Sequence, residues 1–170
     1  MERRSEPRVV LDANILIAGS VWPRWPYEVL RHAANGDFRV LLSPYIIAQA
    51  YATLTKKFPD AKPYLDDFFS LPNVEFLKNP TKSQLAKSQD LVRDKTDIPV
   101  ALAAILAKAD YLVSEDKDLS DQDESTAKLR DQVVVMLAGT FLRKVMGWSS
   151  EDLEAVRRRN WSDLSLDETD

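Results

Sequence analysis

Three aspartates stand beside apolar segments of this chain. Asp12 interrupts the run RVVLDANILI, Asp97 precedes an alanine-rich segment, and Asp116 follows the apolar run YLV. A carboxylate among aliphatic residues is costly to bury, so Asp12 either caps an element or shares a cation with other acids. Carboxylates that converge repel one another, and a hard divalent cation relieves this repulsion. Oxygen ligands alone favour Mg²⁺ or Mn²⁺ over zinc or copper.

Strand-like and helix-like segments alternate around these acids. Strands are predicted at 9–11, 38–42, 74–77, 111–113 and 133–136, and helices at 26–35, 44–58, 63–70, 82–92, 98–108, 140–146 and 151–158. This alternation predicts parallel βαβ units with helices on both faces of the sheet. The fold class is therefore α/β, with three layers (α/β/α) around a short parallel sheet of about five strands.

The carboxyl ends of parallel strands are where such sheets bind ligands. Asp12 ends the first predicted strand and Asp116 follows the fourth. If these strands are neighbours, the two acids lie at one edge, about one strand spacing of 5 Å apart. Asp97 begins the helix that leads into strand four and can join them. The sequence thus predicts a metal site at this edge.

Each polar residue here also has a purely structural interpretation. Asp97 fits the N-cap of a helix with Pro99 in its first turn. Asp116 and Asp118 fit ordinary turn positions, and Asn14 can cap the segment after it through its own side chain. The joint position of the acids at one edge favours a shared site.

Composition excludes several other classes of protein. The chain has 170 residues, a net charge of −4, one histidine and no cysteine. It therefore has no disulfide framework and no thiolate site, and His32 is remote in sequence from the acids, which disfavours a Ser-His-Asp triad. A receiver-like signalling domain would need an acid at the end of strand three, where Lys78 and Asn79 stand. The net charge permits a local basic groove but disfavours a surface that binds nucleic acid throughout.

The chain is long enough for one domain, and no apolar run approaches the length of a membrane span. We expect a compact domain over residues 1–147, of which 1–7 form a loose leader. Residues 148–170 are expected to form a C-terminal helix and an acidic tail. The absence of cysteine and of a signal peptide favours a cytoplasmic location.

Four stretches together resemble the PIN-domain family of metal-dependent ribonucleases. They are LDANIL, LSPYIIAQAYATL, DKTDIPVALAAILAKADYLVSEDKDL and the last strand with its following residues Thr140 to Leu142. The similarity runs from Val9 to Phe141 and is greatest to VapC-like toxins, which are encoded with an antitoxin. It implies a PIN-like strand order of 3-2-1-4-5, a Mg²⁺ or Mn²⁺ cofactor, an RNA substrate and hydrolysis that leaves a 5′-phosphate.

The resemblance also implies roles for individual residues. Asp12, Asp97 and Asp116 match metal-binding positions at which catalysis takes place. Ser114 matches the hydroxyl residue before the last of these acids, and Asp118 lies where some members have a fourth acid.

Two further positions can be compared with the family pattern: Asn14 agrees with it and Gln49 departs from it. Asn14 matches the amide that braces the acids. Gln49 stands on the helix after strand two, where members usually carry a glutamate; it is neutral, and its carbonyl is a weaker ligand for a hard cation. The alternative function is therefore a PIN-fold protein with weak or no catalysis that acts as an RNA- or protein-binding module.

Candidate binding residues flank the acids in sequence. Lys95 and Lys117 can meet RNA phosphates, although solvated surface lysines are the alternative. Trp22 and Trp25 follow strand one in a predicted loop and can stack on bases or pack under the next helix. The aromatic segment 63–71 is a candidate face for an antitoxin or for a second copy in a homodimer or higher oligomer, with core packing as the alternative.

Overall fold

The structure is a computed structural model and describes residues 6–164. Within this range a single parallel sheet has the strand order β3-β2-β1-β4-β5 and is flanked by helices. The predicted α/β fold and its strand order are confirmed. The strands, β1 to β5 in chain order, are Arg8–Leu11, Arg39–Leu42, Val74–Phe76, Tyr111–Val113 and Val134–Met136.

Helices connect all of these strands. The helices, α1 to α10 in chain order, are Ala13–Val21, Trp25–Ala34, Pro44–Lys57, Lys62–Phe69, Lys82–Ala86, Ile98–Leu106, Lys117–Ser120, Ala127–Arg130, Ala138–Lys144 and Ser150–Val156. Single 3₁₀ turns lie at Pro59–Ala61, Lys95–Asp97, Glu124–Thr126 and Trp161–Asp163.

The register of the sheet aligns the ends of β1 and β4. β1 lies between β2 and β4, and Leu11 at its end pairs with Val113 at the end of β4. The Asp12 N–H continues this ladder by donating to the Val113 carbonyl at 3.0 Å. Residues that follow the two strands therefore emerge side by side at one edge of the sheet.

Aliphatic side chains from both faces of the sheet form the core. Val9, Val10 and Leu11 are fully buried, as are Leu41 and Leu42 on the neighbouring strand. Burial of each such side chain contributes about 1.5–3 kcal/mol relative to exposure. A strand buried on both faces is uniformly apolar, which is why β1 carries no alternation of polar and apolar residues.

The predicted loop after β1 is wrong, because residues 13–21 form α1. The Asp12 side chain accepts the N–H of Ala13 and begins the helix, and Trp22 ends it. Gly19 lets α1 approach α2 closely, since a Cβ at this position would lie 2.6 Å from the Leu30 Cδ1 atom. Trp25, which was also predicted to lie in this loop, is the first residue of α2.

The predicted helix over 82–92 is wrong beyond its first turn. A capping box formed by Thr81 and Gln84 begins α5, which ends at Ala86. The chain then turns and buries Leu91 and Val92 in the core. The short helices α7 and α8 also lie where no regular element was predicted.

Part of the expected leader and of the acidic tail, residues 1–5 and 165–170, lies outside the described residues. In the range that is described, we find no helix with the length and apolar character needed to cross a membrane.

Candidate metal centre

Asp12 belongs to a hydrogen-bond network that joins the ends of β1 and β4. Its Oδ1 accepts the Ala13 N–H at 2.8 Å, and its Oδ2 accepts the Ser114 hydroxyl at 2.7 Å. The Asn14 amide donates to Ser114 Oγ at 3.3 Å and accepts the Glu115 N–H at 3.2 Å. Asn14, just after β1, is thus hydrogen-bonded to the residues that follow β4.

Burial dominates the electrostatics of Asp12. Only 5% of the residue is exposed. Burial raises the pKa of the carboxyl, while the hydrogen bonds from Ser114 and Ala13 oppose this and the charge of Asp116 adds to it.

Ser114 also positions Asp116. Its fully buried hydroxyl accepts the Asp116 N–H at 3.0 Å in addition to donating to Asp12. The Asp116 Oδ1 accepts the N–H of Asp118 at 2.9 Å and so begins α7. One hydroxyl thereby fixes the position of both strand-end acids.

Asp97 lies at the start of α6, but its side chain does not cap that helix. Among residues 6–164, its Oδ2 is the one buried side-chain polar atom without a hydrogen-bond partner. Burial, a hydrogen bond with Asp116 and the negative charges of Asp116, Asp12 and Asp94 raise the pKa of Asp97 to about 8. A buried oxygen of this kind lacks a positive partner.

The structure brings a further acid to this edge. One carboxylate oxygen from each of Asp94, Asp97 and Asp116 lies within 4.8 Å of the other two. Asp94 is a member of this cluster that was not predicted from the sequence. The signal that could have found it is the D-x-x-D spacing at a turn that precedes a helix, because residues three apart there lie on one side.

The residues at this edge fit a hard divalent cation. Their donors are carboxylate oxygens, the ligands that Mg²⁺ and Mn²⁺ take. The raised pKa of Asp97 and its unpartnered oxygen reflect several carboxyl groups brought together in a largely buried position. A divalent cation would relieve the repulsion between these groups.

The helix α3 approaches the acids through a tyrosine. The Tyr45 hydroxyl donates to the Thr96 carbonyl at 2.7 Å. Burial and the charges of the acids, Asp97 first, raise the pKa of Tyr45. Gln49 follows one turn later on α3, and its side chain is exposed.

The predicted basic and outer residues lie around the acids with contacts of their own. Asp118 pairs with the guanidinium of Arg93 at 3.0 Å. Lys95 is exposed and donates to the Gln89 carbonyl at 3.0 Å. Lys117 is exposed in the first turn of α7, directly after Asp116.

The two tryptophans lie at the far end of α1 and the start of α2. Trp22 follows the nine residues of α1, which puts it about 15 Å along the helix from Asp12. It is 40% exposed and makes an edge contact with Phe58. The Trp25 indole donates to the Leu153 carbonyl at 2.9 Å, so it packs against α10.

Comparisons with known proteins place this geometry in a family. The model of a family described as PIN domain matches residues 8–118. No curated protein matches the chain. The fold is similar to a chain of the crystal structure of VapBC2 from Rickettsia felis bound to a DNA fragment from its promoter, with a TM-score of 0.53, 19% identity and coverage of 76% of this chain and 98% of that one.

A second similar structure is PAE2754 from Pyrobaculum aerophilum, with a TM-score of 0.56, 15% identity and coverage of 84% of this chain and 99% of that one. At these identities the two structures support the fold. The family match spans β1 through the start of α7 and includes all the acids of the candidate centre. PIN domains are generally nucleases. We conclude that this chain belongs to the PIN-domain family.

Proposed function

We propose that the protein is an endoribonuclease that depends on Mg²⁺ or Mn²⁺ and is the toxin of a toxin–antitoxin pair. The observation that carries this proposal is the Asp97 carboxylate, which is buried with an unpartnered oxygen beside other acids at the strand ends of a PIN fold. Buried charge of this kind is tolerated where a cation is held. The proposed location is the cytoplasm, where RNA substrates are found.

Asp97 and Asp116 would hold the ion, with Asp12 beside them. When bound, the ion lowers the pKa of a water and stabilises charge on the phosphodiester. The protein contributes orientation: Ser114 and Asn14 fix the strand-end carboxylates before substrate arrives. Hydrolysis adds water at phosphorus, breaks the bond to the 3′ oxygen, and leaves a 5′-phosphate and a 3′-hydroxyl.

Exposed cations near the acids support an RNA substrate. Lys117 lies next to Asp116, and Lys95 lies between Asp94 and Asp97. Lysines contact phosphate oxygens without reading base sequence. We propose these two as phosphate contacts, Asp118 as a residue that orients an outer water, and Trp22 and Trp25 as more remote base-stacking candidates, of which Trp25 has its indole N–H already bonded to α10.

The test is cleavage of labelled RNA by the purified protein. We expect cleavage in Mn²⁺, none in EDTA, and a loss of at least ~100-fold in Asp97→Asn and Asp116→Asn, because several kcal/mol of charge stabilisation are removed. Asp131→Asn, which changes an exposed acid outside the cluster, is the matched control. Cleavage that survives both centre substitutions would come from a contaminant and would refute the proposal.

One observation favours the alternative of a weakly catalytic or non-catalytic binding module. Gln49 is exposed and neutral at a position where family members usually carry an acid. This alternative predicts that RNA binds in EDTA and is not cleaved in Mn²⁺. A gel-shift assay beside the cleavage assay separates the two functions.

An antitoxin is the proposed protein partner. The structure of VapBC2 bound to promoter DNA, whose chain shares this fold, supports that proposal. We also propose a homodimer or higher oligomer. The candidate face at 63–71 has Leu65 and Phe68 already buried in the core, which leaves Tyr64 and Phe69 as its partly exposed aromatic residues. Light scattering of the purified protein measures the oligomeric state.

A further inference from the structure

We infer that Asp94 is a metal ligand of this chain, contributed by the turn that precedes α6. The inference rests on the proposed metal-dependent function and identifies a ligand beyond the three acids predicted from the sequence. The ion that Asp94 would bind is a hard divalent cation, Mg²⁺ or Mn²⁺.

Asp94 lies close to the other acids of the cluster. An oxygen of Asp94 lies within 4.8 Å of oxygens of both Asp97 and Asp116. The Thr96 N–H and hydroxyl both donate to Asp94 Oδ1, at 2.9 and 2.7 Å. These two bonds fix the orientation of the carboxylate and leave Oδ2 available to a cation.

The cluster contains a buried oxygen without a hydrogen bond among the described residues. Asp97 is 8% exposed, and its Oδ2 has no hydrogen-bond partner among the described residues. The Asp12 oxygens, in contrast, accept hydrogen bonds from Ala13 and Ser114. The buried carboxylate oxygen without a hydrogen bond therefore belongs to Asp97, and Asp94 is one of the two acids clustered with it.

The helix α3 holds the turn that carries Asp94. This helix holds the 94–97 turn through the Tyr45 hydroxyl on the Thr96 carbonyl. The Tyr45 N–H is itself held by Asn79 Oδ1 at 3.0 Å, so the start of α3 is fixed. No acid stands between Asp37 and Asp60, so α3 positions the turn without adding a negative charge. The turn itself contributes the additional carboxylate, that of Asp94.

The experiment is calorimetric titration of Mn²⁺ into the full chain and its variants. We expect Asp94→Asn to lose at least ~10-fold in Mn²⁺ affinity, as expected for groups that ligate or orient ligands. Asparagine keeps an oxygen that can accept from Thr96, so the turn is retained. Asp94→Glu, which keeps the charge, should bind Mn²⁺ more tightly than the asparagine variant.

Asp123→Asn is the matched control. Asp123 accepts the N–H and the hydroxyl of Ser125 through Oδ1, in the same local arrangement as Asp94 and Thr96, but it is not part of the acid cluster. We expect its Mn²⁺ affinity to equal that of the unmodified protein. Melting temperatures in EDTA should be equal for the two asparagine variants, which shows that both are folded.

The outcomes separate this inference from the proposed function. Wild-type Mn²⁺ affinity in Asp94→Asn, together with lost affinity in Asp97→Asn, would overturn the inference and leave the metal site standing. Unchanged affinity in both variants would refute the metal site itself. Asp94→Asn could lower the melting temperature in EDTA. In that case Asp94→Glu is compared with the unmodified protein. Equal melting temperatures and equal Mn²⁺ affinities of these two proteins would support the role of the charge. An affinity of Asp94→Glu no better than that of Asp94→Asn, in folded protein, overturns it.

Discussion

The Ser114 hydroxyl connects two carboxylates that are distant in sequence. It donates to Asp12, 102 positions away, and accepts the N–H of Asp116. Because this hydroxyl is fully buried, water has no access to replace it. The geometry of the centre at the scale of single residues therefore depends on a side chain that carries no charge.

Ser114→Ala should destabilise the protein by about 1–3 kcal/mol, because Asp12 Oδ2 would keep only the 3.4 Å bond from Asn14 and the Asp116 N–H would lose its acceptor. Urea unfolding in EDTA measures the free energy of unfolding. Ser20→Ala is the matched control, because Ser20 is also buried but donates to a helical carbonyl, that of Leu16. Equal losses in the two variants would show that the bond to Asp12 has no special weight.

The raised pKa of Asp97 makes the stability of the metal-free protein depend on pH. Its pKa is about 8 in the folded state, against 3.8 for an ordinary aspartate. The folded state therefore binds more protons between these values, so the free energy of unfolding falls as pH rises from about 4 to about 8. The contribution is complete below the lower value and lost above the higher one.

Asp97→Asn should flatten this fall and make the protein more stable than the unmodified chain at pH 9 in EDTA. Denaturant unfolding at several pH values between 5 and 9 measures the slope. Asp131→Asn, which changes an exposed acid, should keep it. A slope that persists in Asp97→Asn would show that another group titrates.

At the scale of elements, α3 supports the centre without supplying a charge. The Tyr45 hydroxyl holds the 94–97 turn that carries two of the clustered acids. Tyr45→Phe should weaken Mn²⁺ binding by roughly 10-fold, in the range found for groups that orient ligands. The control is Tyr51→Phe on the same helix, whose hydroxyl bonds to Asp66 away from the centre. Equal affinities in the two variants would contradict a positioning role for Tyr45.

The acids at the strand ends could be predicted because the apolar runs before them are short and the segments between them are helical, a pattern typical of a parallel sheet. The strand order that makes β1 and β4 neighbours was implied by the family resemblance. The helix α1 could not be predicted, because a short apolar run fits a buried strand and a buried helix equally well. Here the N-cap at Asp12 ends the strand and starts the helix within one residue.

Asp94 escaped prediction for a different reason. The segment 82–92 reads as a continuous helix, but α5 ends at Ala86 and the chain turns to bury Leu91 and Val92. That burial returns the chain to the sheet edge and presents Asp94 beside Asp97. Long-range packing, which overrides local helix propensity, decides this position.

At the scale of the whole molecule, the C-terminal segment packs against the connection between α1 and α2. We propose that the PIN-like domain ends near residue 147 and that residues 148–164 form a clasp over the α1–α2 connection. The Trp161 indole donates to the Val21 carbonyl at 2.7 Å, and the Arg159 guanidinium donates to the Pro23 carbonyl at 2.8 Å. The clasp fixes the turn between the two helices that follow β1.

The strongest contact of the clasp is the ion pair between Arg159 and Glu28. Their side chains are 15% and 8% exposed, so both charges are largely removed from water. Loss of one partner of a buried pair costs about 3–5 kcal/mol, because the remaining charge is left uncompensated. Glu28 also has Arg31 at 3.4 Å, whose side chain is more exposed, so we expect the lower end of this range.

Arg159→Met should therefore lower the free energy of unfolding by about 3 kcal/mol, or the melting temperature by roughly 6–12 °C for a chain of this size. Arg157→Met is the control, because Arg157 forms an exposed pair with Glu154, which is worth about 0–1 kcal/mol. Thermal melts in EDTA, followed by circular dichroism, measure both. If the two variants melt together, the clasp does not stabilise the domain, and the fold would then be held by the sheet and its flanking helices alone.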